Sequence, residues 1–223
     1  MRKGTKRQYS HEEYNEGTQM DEEGQRVVDY VYTLAKRRKT VRQFTSRPVD
    51  ENEVITAVKT ACQAPSGANA QPWRFIVVTD ATRKRNIRKA CEDGERAFYA
   101  TVKGEWRAWL LARGFNWSKP FLEEAPLLLL VFSQENAPYA IPSVWLAIGY
   151  LLLVIEERGL GTVTYTPSSS QGVLDEMDIP EGWRLEVILP IGFSAEQHAK
   201  EPRRSLDEVL YINSWGHGLD VRK

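Results

Sequence analysis

The pattern of apolar and polar positions divides most of the chain into predicted helices and strands. Apolar residues at helical spacing predict a first helix that leads into a basic cluster at residues 36–39. Asp50, with Glu53 three residues later, is typical of a capping box and predicts the start of a second helix. The apolar positions of the first helix are Val27, Val28, Val31, Leu34 and Ala35. Further helices are predicted at 80–88, over much of 92–113, at 143–158 and at 174–177.

Continuous apolar or β-branched runs between these helices predict short strands. Because helices and strands interleave around what would be a small sheet, the pattern favours an α+β fold. Neither GxGxxG nor GxxxxGK[ST] is present, so the sequence supports neither a dinucleotide-type Rossmann turn nor a P-loop. The predicted strands are residues 75–78, 127–132, 162–166 and 185–191.

Composition and charge exclude several classes of partner. Thirty basic and thirty acidic residues give a net charge of zero, which argues against binding to nucleic acid or to an anionic membrane. The longest apolar run, residues 141–155, is shorter than the roughly 20 residues of a membrane span. It predicts a buried helix, with a subunit interface as its possible setting. Two cysteines do not form a disulfide framework and fit a reducing cytoplasm.

The ends of the chain and its histidines carry little of the predicted chemistry. Residues 1–25 are rich in charge and lack a hydrophobic signal core, so we expect a flexible arm and not a secretory signal. Residues 26–215 would form the domain and 216–223 a tail. The three histidines, His11, His198 and His217, are widely separated, so no metal site is expected.

The loop at residues 64–73 is the strongest local signal of a binding site. Pro65 and Pro72 prevent a regular helix, and Gly67 lets the backbone approach a ligand closely. Ser66 and Asn69 add a hydroxyl and an amide in a segment without charge. Such a loop suits a flat, neutral ring, although an ordinary structured connection has the same composition.

A basic segment, residues 38–42, offers cations and a hydroxyl. Guanidinium forks match the geometry of a phosphate, so the segment suits a phosphorylated ligand. A solvated basic patch after a helix is the alternative interpretation.

Together, the two motifs resemble the nitroreductase superfamily of FMN enzymes. The loop reads A-P-S-G-A-N-x-Q-P-W and the basic segment follows R-R-x-(S/T)-V-R. Within that superfamily the chain is most similar to the iodotyrosine deiodinase branch, over about residues 35–209. The resemblance implies a central mixed, mainly antiparallel sheet surrounded by helices, in an intertwined homodimer. It also implies FMN as the cofactor.

The resemblance assigns ten residues to the flavin. The basic segment and a second arginine would bind the phosphate and part of the ring edge, and the loop serine would contact the flavin. The T-x-T-P segment would lie near the isoalloxazine, with Thr166 as the catalytic hydroxyl that hydrogen-bonds flavin N5. The implied cofactor-binding residues are Arg38, Lys39, Thr40, Val41, Arg42, Ser66, Thr164, Tyr165, Thr166 and Arg203.

Four further residues are assigned to an amino-acid substrate by the same resemblance. Glu95 and Tyr99 share one helix face, and Lys119 follows in the next segment; unaided, the pair would be read as surface residues. In the deiodinases this E-x-x-x-Y…K pattern clasps a zwitterion, while the backbone N–H at Ala68 binds the substrate phenolate. The segment 133–141 is shorter than in animal members, and Tyr165 replaces a smaller residue.

The implied activity is reductive dehalogenation of halotyrosines by reduced FMN, in a soluble, microbial, cytoplasmic homodimer. The reductant would be NAD(P)H or another electron donor. A general nitro- or quinone reductase with the same flavin site is the main alternative. A benzimidazole synthase that fragments its flavin and a non-catalytic binding protein are weaker ones.

Overall fold

A computed structural model gives the fold and describes residues 30–216. The chain separates into two units, residues 1–37 and 38–223. Helix α1 (Tyr30–Arg37) is the described part of the first unit. The predicted arm at 1–25, the apolar positions Val27 and Val28, His11, and the tail from His217 onward lie outside the described residues.

The second unit is built on a four-stranded antiparallel sheet. Its strands are β1 (Trp73–Val78), β2 (Leu127–Gln134), β3 (Gly161–Thr162) and β4 (Trp183–Gly192), in the order β1-β2-β4-β3. Leu130 lies opposite both Ile76 of β1 and Ile188 of β4, which fixes the register of the central pair. The predicted α+β fold with a mainly antiparallel sheet is confirmed. Its parallel element is an isolated bridge between Thr40 and Thr162.

Helices cover both faces of this sheet. Side chains of β2 alternate between two buried clusters, because neighbouring strand residues point to opposite faces. One cluster packs against α2 and α6, and the other against α3, α5 and α7. The helices are α2 (Glu51–Ala61), α3 (Ala81–Thr101), α4 (Gly104–Ala112), α5 (Phe121–Glu124), α6 (Ala140–Glu157) and α7 (Gln171–Glu176).

Local capping starts two helices where the sequence predicts. The Asp50 carboxylate accepts the Asn52 N–H at 2.9 Å, and the Asp80 carboxylate accepts the Arg83 N–H at 2.7 Å. Glu53 does not complete a reciprocal capping box. Its carboxylate pairs with the Arg158 guanidinium at 3.3 Å.

Helix α3 is longer than predicted. The sequence predicts separate segments at 80–88 and 92–113, whereas one helix of 21 residues runs to Thr101. The buried positions Ile87, Cys91 and Glu95 recur every four residues, so a single face continues across the predicted break.

The predicted strand at 162–166 forms only in part. Thr162 lies opposite Ile191 in β3, and Tyr165 lies opposite Ile188 in an isolated bridge. The step of three residues is equal on both strands, so the segment keeps the same register along β4. The ladder is interrupted at residues 163 and 164.

Helix α6 combines a buried face with an exposed apolar one. Its length and composition alone would allow a membrane span, yet seven of its residues are buried in the protein. Other apolar side chains of the helix are exposed, as are several in residues 206–215, called here the apolar tail. The exposed apolar residues are Ile141, Trp145, Leu146 and Tyr150 in the helix and Leu206, Val209, Leu210, Ile212 and Trp215 in the tail.

Candidate active site

The loop at 64–73 is fastened to the start of α6. The Gly67 N–H donates to Ser143 Oγ at 3.1 Å, and that hydroxyl donates to the Tyr139 carbonyl at 2.7 Å. A Cβ on Gly67 would lie 2.8 Å from the Pro138 carbonyl oxygen, so only glycine permits this approach. Ser66 Oγ accepts the Gln71 N–H at 3.0 Å and closes the loop on itself.

Three non-glycine residues of this loop have left-handed backbone conformations. The φ angles are 49° at Ala68, 53° at Asn69 and 48° at Gln71. Such residues each cost on the order of 1–3 kcal/mol and cluster at functional sites. The Ala68 N–H makes no hydrogen bond within residues 30–216, and the residue is exposed. This donor is therefore available to a ligand.

Cations gather around Arg38. Burial lowers the pKa of the Arg38 guanidinium, Arg203 lowers it further, and Glu156 partly offsets both effects. The same groups act on Lys200, whose pKa is lowered by burial and by the charges of Arg203 and Arg38. The pKa values of Arg38 and Lys200 are lowered by burial and by neighbouring positive charge, so these two residues and Arg203 form a site that an anion would stabilise.

The rest of the basic segment is tied into the framework. Thr40 bridges to Thr162, and the Val41 N–H donates to the Thr162 carbonyl at 3.0 Å. The Val41 side chain is buried against Gly161. Lys39 Nζ donates to the His198 carbonyl at 2.5 Å, which ties the ammonium to the backbone of the chain's C-terminal part.

Arg42 differs from the rest of the basic segment, because its backbone is bonded while its side chain is exposed. Its backbone N–H donates to Glu196 Oε1 at 2.7 Å, while its guanidinium lies 5.5 Å from the centre of the Phe115 ring. The side chain itself is exposed.

The T-x-T-P segment presents its two threonines and its tyrosine differently. Thr164 and Thr166 are exposed, whereas Tyr165 between them is buried. The Tyr165 hydroxyl donates to Glu95 Oε1 at 2.9 Å, and its N–H and carbonyl both pair with Ile188. Neither the side chain nor the polar backbone groups of Tyr165 therefore remain on the face of the two threonines.

The three side chains assigned to the substrate by resemblance lie together. Lys119 Nζ is 3.5 Å from Glu95 Oε2, with side chains 12% and 7% exposed, and 5.6 Å from the centre of the Tyr99 ring. Burial lowers the pKa of the Lys119 ammonium, and the carboxylates of Glu95 and Glu92 partly offset this. Burial and Glu95 raise the pKa of the Tyr99 phenol. One carboxylate, one ammonium and one phenol therefore converge.

Glu92 fixes the position of Lys119 through a hydrogen bond to its backbone. Its Oε1 accepts the Lys119 N–H at 2.8 Å and the Arg88 guanidinium at 2.8 Å. Burial alone would raise the pKa of Glu92, but the hydrogen bonds from Lys119 and Arg88 and nearby positive charge give a net lowering. Burial raises the pKa of the neighbouring Cys91 thiol to about 12, so this group is a neutral part of the core.

Comparison with known proteins identifies the family. Residues 35–193 match the model of the nitroreductase family. The chain belongs to the nitroreductase family. This membership confirms the resemblance drawn from residues 38–42 and 64–73.

Several proteins similar to this chain are iodotyrosine deiodinases. The protein of that name from Thermotoga neapolitana is 50% identical over 176 residues, which cover 79% of this chain and 95% of the relative. The one from Haliscomenobacter hydrossis is 37% identical over 74% of this chain and 79% of the relative. A crystal structure of an oxidized iodotyrosine deiodinase bound to FMN and 3-iodo-L-tyrosine is 48% identical. It has a TM-score of 0.79 and covers 83% of this chain and 100% of that one.

The geometry groups the assigned residues of this nitroreductase-family chain into three sets. Arg38 and Arg203 form the cationic set, Glu95, Tyr99 and Lys119 form the second, and Ser66 and Ala68 lie on the loop. Within the described part of the chain, no hydrogen bond or ion pair joins the loop residues to either of the other sets. In the same region, no group of three His, Cys, Asp or Glu side chains is arranged to hold a metal.

Two residues near these sets had no assignment from the sequence. Lys200 joins the cations around Arg38, and Glu92 fixes the backbone of Lys119. The position of Glu92, one turn before Glu95 on α3, was a usable signal, because residues three apart share a helix face. Lys200 carried none, since its approach to Arg38 depends on the path of the chain after β4.

Proposed function

We propose that this chain is an FMN-dependent reductive dehalogenase that acts on halogenated tyrosines. The convergence of Glu95, Tyr99 and Lys119 is the observation that carries the proposal. A carboxylate and an ammonium 3.5 Å apart can exchange their mutual pairing for the two charges of a free amino acid. A nitro or quinone substrate carries no such pair of charges and would not use this arrangement.

The cofactor site fits the parts of FMN in turn. Arg38 and Arg203, joined by Lys200, would hold the phosphate, since a dianion relieves the repulsion that contributes to the lowered pKa values of Arg38 and Lys200. The exposed hydroxyls of Thr164 and Thr166 and that of Ser66 would face the ribityl chain and ring. Bound FMN, once reduced, would supply two electrons and a proton, which replace a carbon–halogen bond by a carbon–hydrogen bond and release halide.

Framework roles suit three of the remaining residues assigned to the flavin. Lys39, Thr40 and Val41 are bonded to residues 162 and 198, so they would position the phosphate arginines. Arg42 is exposed and would contact the cofactor through its guanidinium.

The substrate would be held at both ends. Glu95 would pair with its ammonium, and Lys119 with the Tyr99 phenol would bind its carboxylate. The Ala68 N–H would donate to the phenolate oxygen at the other end, which orients the ring. Thr166 would donate a hydrogen bond to flavin N5. Closure of the segment that carries Lys119 over the ligand would exclude water.

A homodimer in the cytoplasm, reduced by NAD(P)H or another electron donor, is part of the proposal. The exposed apolar face of α6 and the apolar tail support a subunit interface, because isolated apolar patches of this kind are buried on association.

Anaerobic titration of the FMN-loaded protein with 3-iodotyrosine tests the function. We expect quenching of flavin fluorescence on binding and release of one iodide per two-electron reduction of the enzyme. Reduction of a nitroaromatic on the same preparation is the comparison. Rapid nitroaromatic reduction without iodide release would favour a general nitroreductase. Tight iodotyrosine binding without turnover by the reduced enzyme would indicate a binding protein.

A further inference from the structure

Tyr165 connects the two parts of the site that the proposed function needs. It lies between the exposed Thr164 and Thr166, yet its own side chain points into the protein and is 7% exposed. The Tyr165 hydroxyl reaches across to α3 and donates to Glu95 Oε1 at 2.9 Å. One segment of three residues therefore presents hydroxyls outward and a phenol inward.

The two oxygens of the Glu95 carboxylate have different partners. Oε1 accepts from the Tyr165 hydroxyl and, at 3.3 Å, from the Ser168 N–H. Among the described residues, Oε2 faces only the Lys119 ammonium, at 3.5 Å. Since Oε1 is held by donors of the framework, Oε2 is the oxygen that a ligand ammonium can take. The carboxylate is oriented before any ligand arrives.

Tyr165 is itself firmly held. Its N–H and carbonyl pair with Ile188 of β4 at 3.1 and 2.8 Å, and its ring meets the Phe121 ring edge-on at 5.5 Å between centres. Other groups facing it are the Cys91 thiol and the Lys119 ammonium, which is 5.9 Å from the ring centre. Because the sheet and the Phe121 ring fix Tyr165, its hydroxyl holds the Glu95 carboxylate in one orientation.

We propose that Tyr165 is a positioning residue for substrate recognition: its hydroxyl orients Glu95 so that one carboxylate oxygen is presented to the ammonium of an amino-acid substrate. The inference rests on the proposed function and refines it. Discrimination between a halotyrosine and a plain halophenol then depends on Tyr165, whose side chain faces away from the exposed Thr164 and Thr166.

The test removes the hydroxyl and keeps the ring. The Tyr165→Phe protein is loaded with FMN and titrated anaerobically with 3-iodotyrosine and with 2-iodophenol, which lacks the ammonium and carboxylate. We expect the Kd for 3-iodotyrosine to rise on the order of ten-fold, the usual effect of losing a hydrogen bond to a charged group. The Kd values for 2-iodophenol and for FMN stay unchanged. Tyr32→Phe, at an exposed tyrosine of α1, is the matched control and leaves all three values unchanged.

A double-mutant cycle separates positioning from simple packing. With Glu95→Gln as the second change, the loss in the double variant is smaller than the product of the two single losses, because both changes remove the same interaction. Tyr165→Leu, which removes the hydroxyl with a different shape, gives the same preferential loss of 3-iodotyrosine. This variant keeps the test decisive where Tyr165→Phe does not fold.

Four results would overturn the inference. Equal 3-iodotyrosine affinity in wild type and Tyr165→Phe would overturn this inference and leave the proposed function intact. Equal losses of affinity for 3-iodotyrosine and 2-iodophenol would do the same. A double variant whose loss of affinity equals the product of the two single losses would also overturn this inference and leave the proposed function intact. A wild-type protein that neither binds 3-iodotyrosine nor releases iodide overturns the proposed function, and this inference with it.

Discussion

At the scale of single residues, the site depends on charges that are only partly exposed to water. Glu95 and Lys119 are paired with each other, and each would have to release the other to bind a zwitterion. Their separation of 3.5 Å and their burial make that exchange favourable only for a ligand that offers both charges. In the proposed function, the pair would therefore act as a selective element as well as a binding one.

Removal of the ammonium tests this selectivity. We expect Lys119→Ala to weaken 3-iodotyrosine binding by about 30-fold or more, since truncation of a buried charged partner typically costs about 2–5 kcal/mol. The Kd of FMN stays unchanged. Lys89→Ala, an exposed lysine on α3, is the control, and both constants are measured by flavin fluorescence. A similar loss of FMN affinity in Lys119→Ala would contradict the assignment to substrate.

The lowered pKa of Lys119 predicts an alkaline limit to binding. Its charge is lost at a lower pH than that of a free lysine, whose pKa is 10.5. Affinity for the ligand carboxylate is therefore complete near neutral pH and falls as pH rises through the lowered value. Lys119→Arg keeps its charge over this range.

Comparing the wild-type protein with the Lys119→Arg variant removes the ligand's own titration. We expect the ratio of the two 3-iodotyrosine Kd values to change steadily between neutral pH and pH 10.5, in favour of the arginine variant. The measurement is a Kd series by fluorescence quenching. A ratio that stays constant with pH would show that Lys119 does not bind the carboxylate as an ammonium.

At the scale of elements, the loop at 64–73 is rigid because it is packed against the turn before α6. Glycine at position 67 allows the contact with Pro138 and Tyr139, and the Ser143 hydroxyl secures it. The strained residues Ala68 and Asn69 follow immediately. Their conformation persists because the glycine next to them is fixed.

A methyl group at position 67 should displace the loop. We expect Gly67→Ala to destabilise the protein by about 1–3 kcal/mol through overpacking and to weaken 3-iodotyrosine binding by moving the Ala68 N–H. Thermal unfolding and ligand titration measure the two effects. Gln63→Ala, an exposed change nearby, is the control. Unchanged stability in Gly67→Ala would mean that the turn before α6 yields easily.

The sequence predicted those elements whose signals are local. Asp50 and Asp80 cap the helices they precede, and Glu95 with Tyr99 share a face because they are four residues apart. The approach of Lys119 to Glu95 came from family resemblance, since the chain between them folds back through α4. Left-handed backbone at Ala68 and Gln71 has no local signal, because neither residue type favours it. The inward turn of Tyr165 follows from its register on β4, which only the assembled sheet defines.

At the scale of the whole molecule, apolar surface remains where a single chain cannot bury it. Trp215 is 89% exposed, and Leu146 on α6 is 50% exposed. Both belong to the surfaces that support the proposed subunit interface. The loop at 64–73 is fastened to α6, so subunit contact and substrate binding would be mechanically linked in the proposed dimer.

The proposed dimer can be tested by a charge on α6. We expect wild type to have twice the chain mass of 25.5 kDa in light scattering, and Leu146→Glu to shift the protein toward the monomer. Burial of a glutamate in an apolar contact is unfavourable by several kcal/mol. Gln63→Ala, at an exposed position outside α6, again serves as the control. A wild-type monomer at micromolar concentration would refute the dimer.

If the proposed roles of Thr164, Tyr165 and Thr166 hold, their alternation separates substrate choice from cofactor retention. A change at position 165 alters what lies beside Glu95, while the backbone pairing with Ile188 keeps the neighbouring hydroxyls on the opposite face. In the proposed enzyme, variation at this one position would therefore give selection, natural or in the laboratory, a way to retune amino-acid recognition in a single step without first losing the flavin.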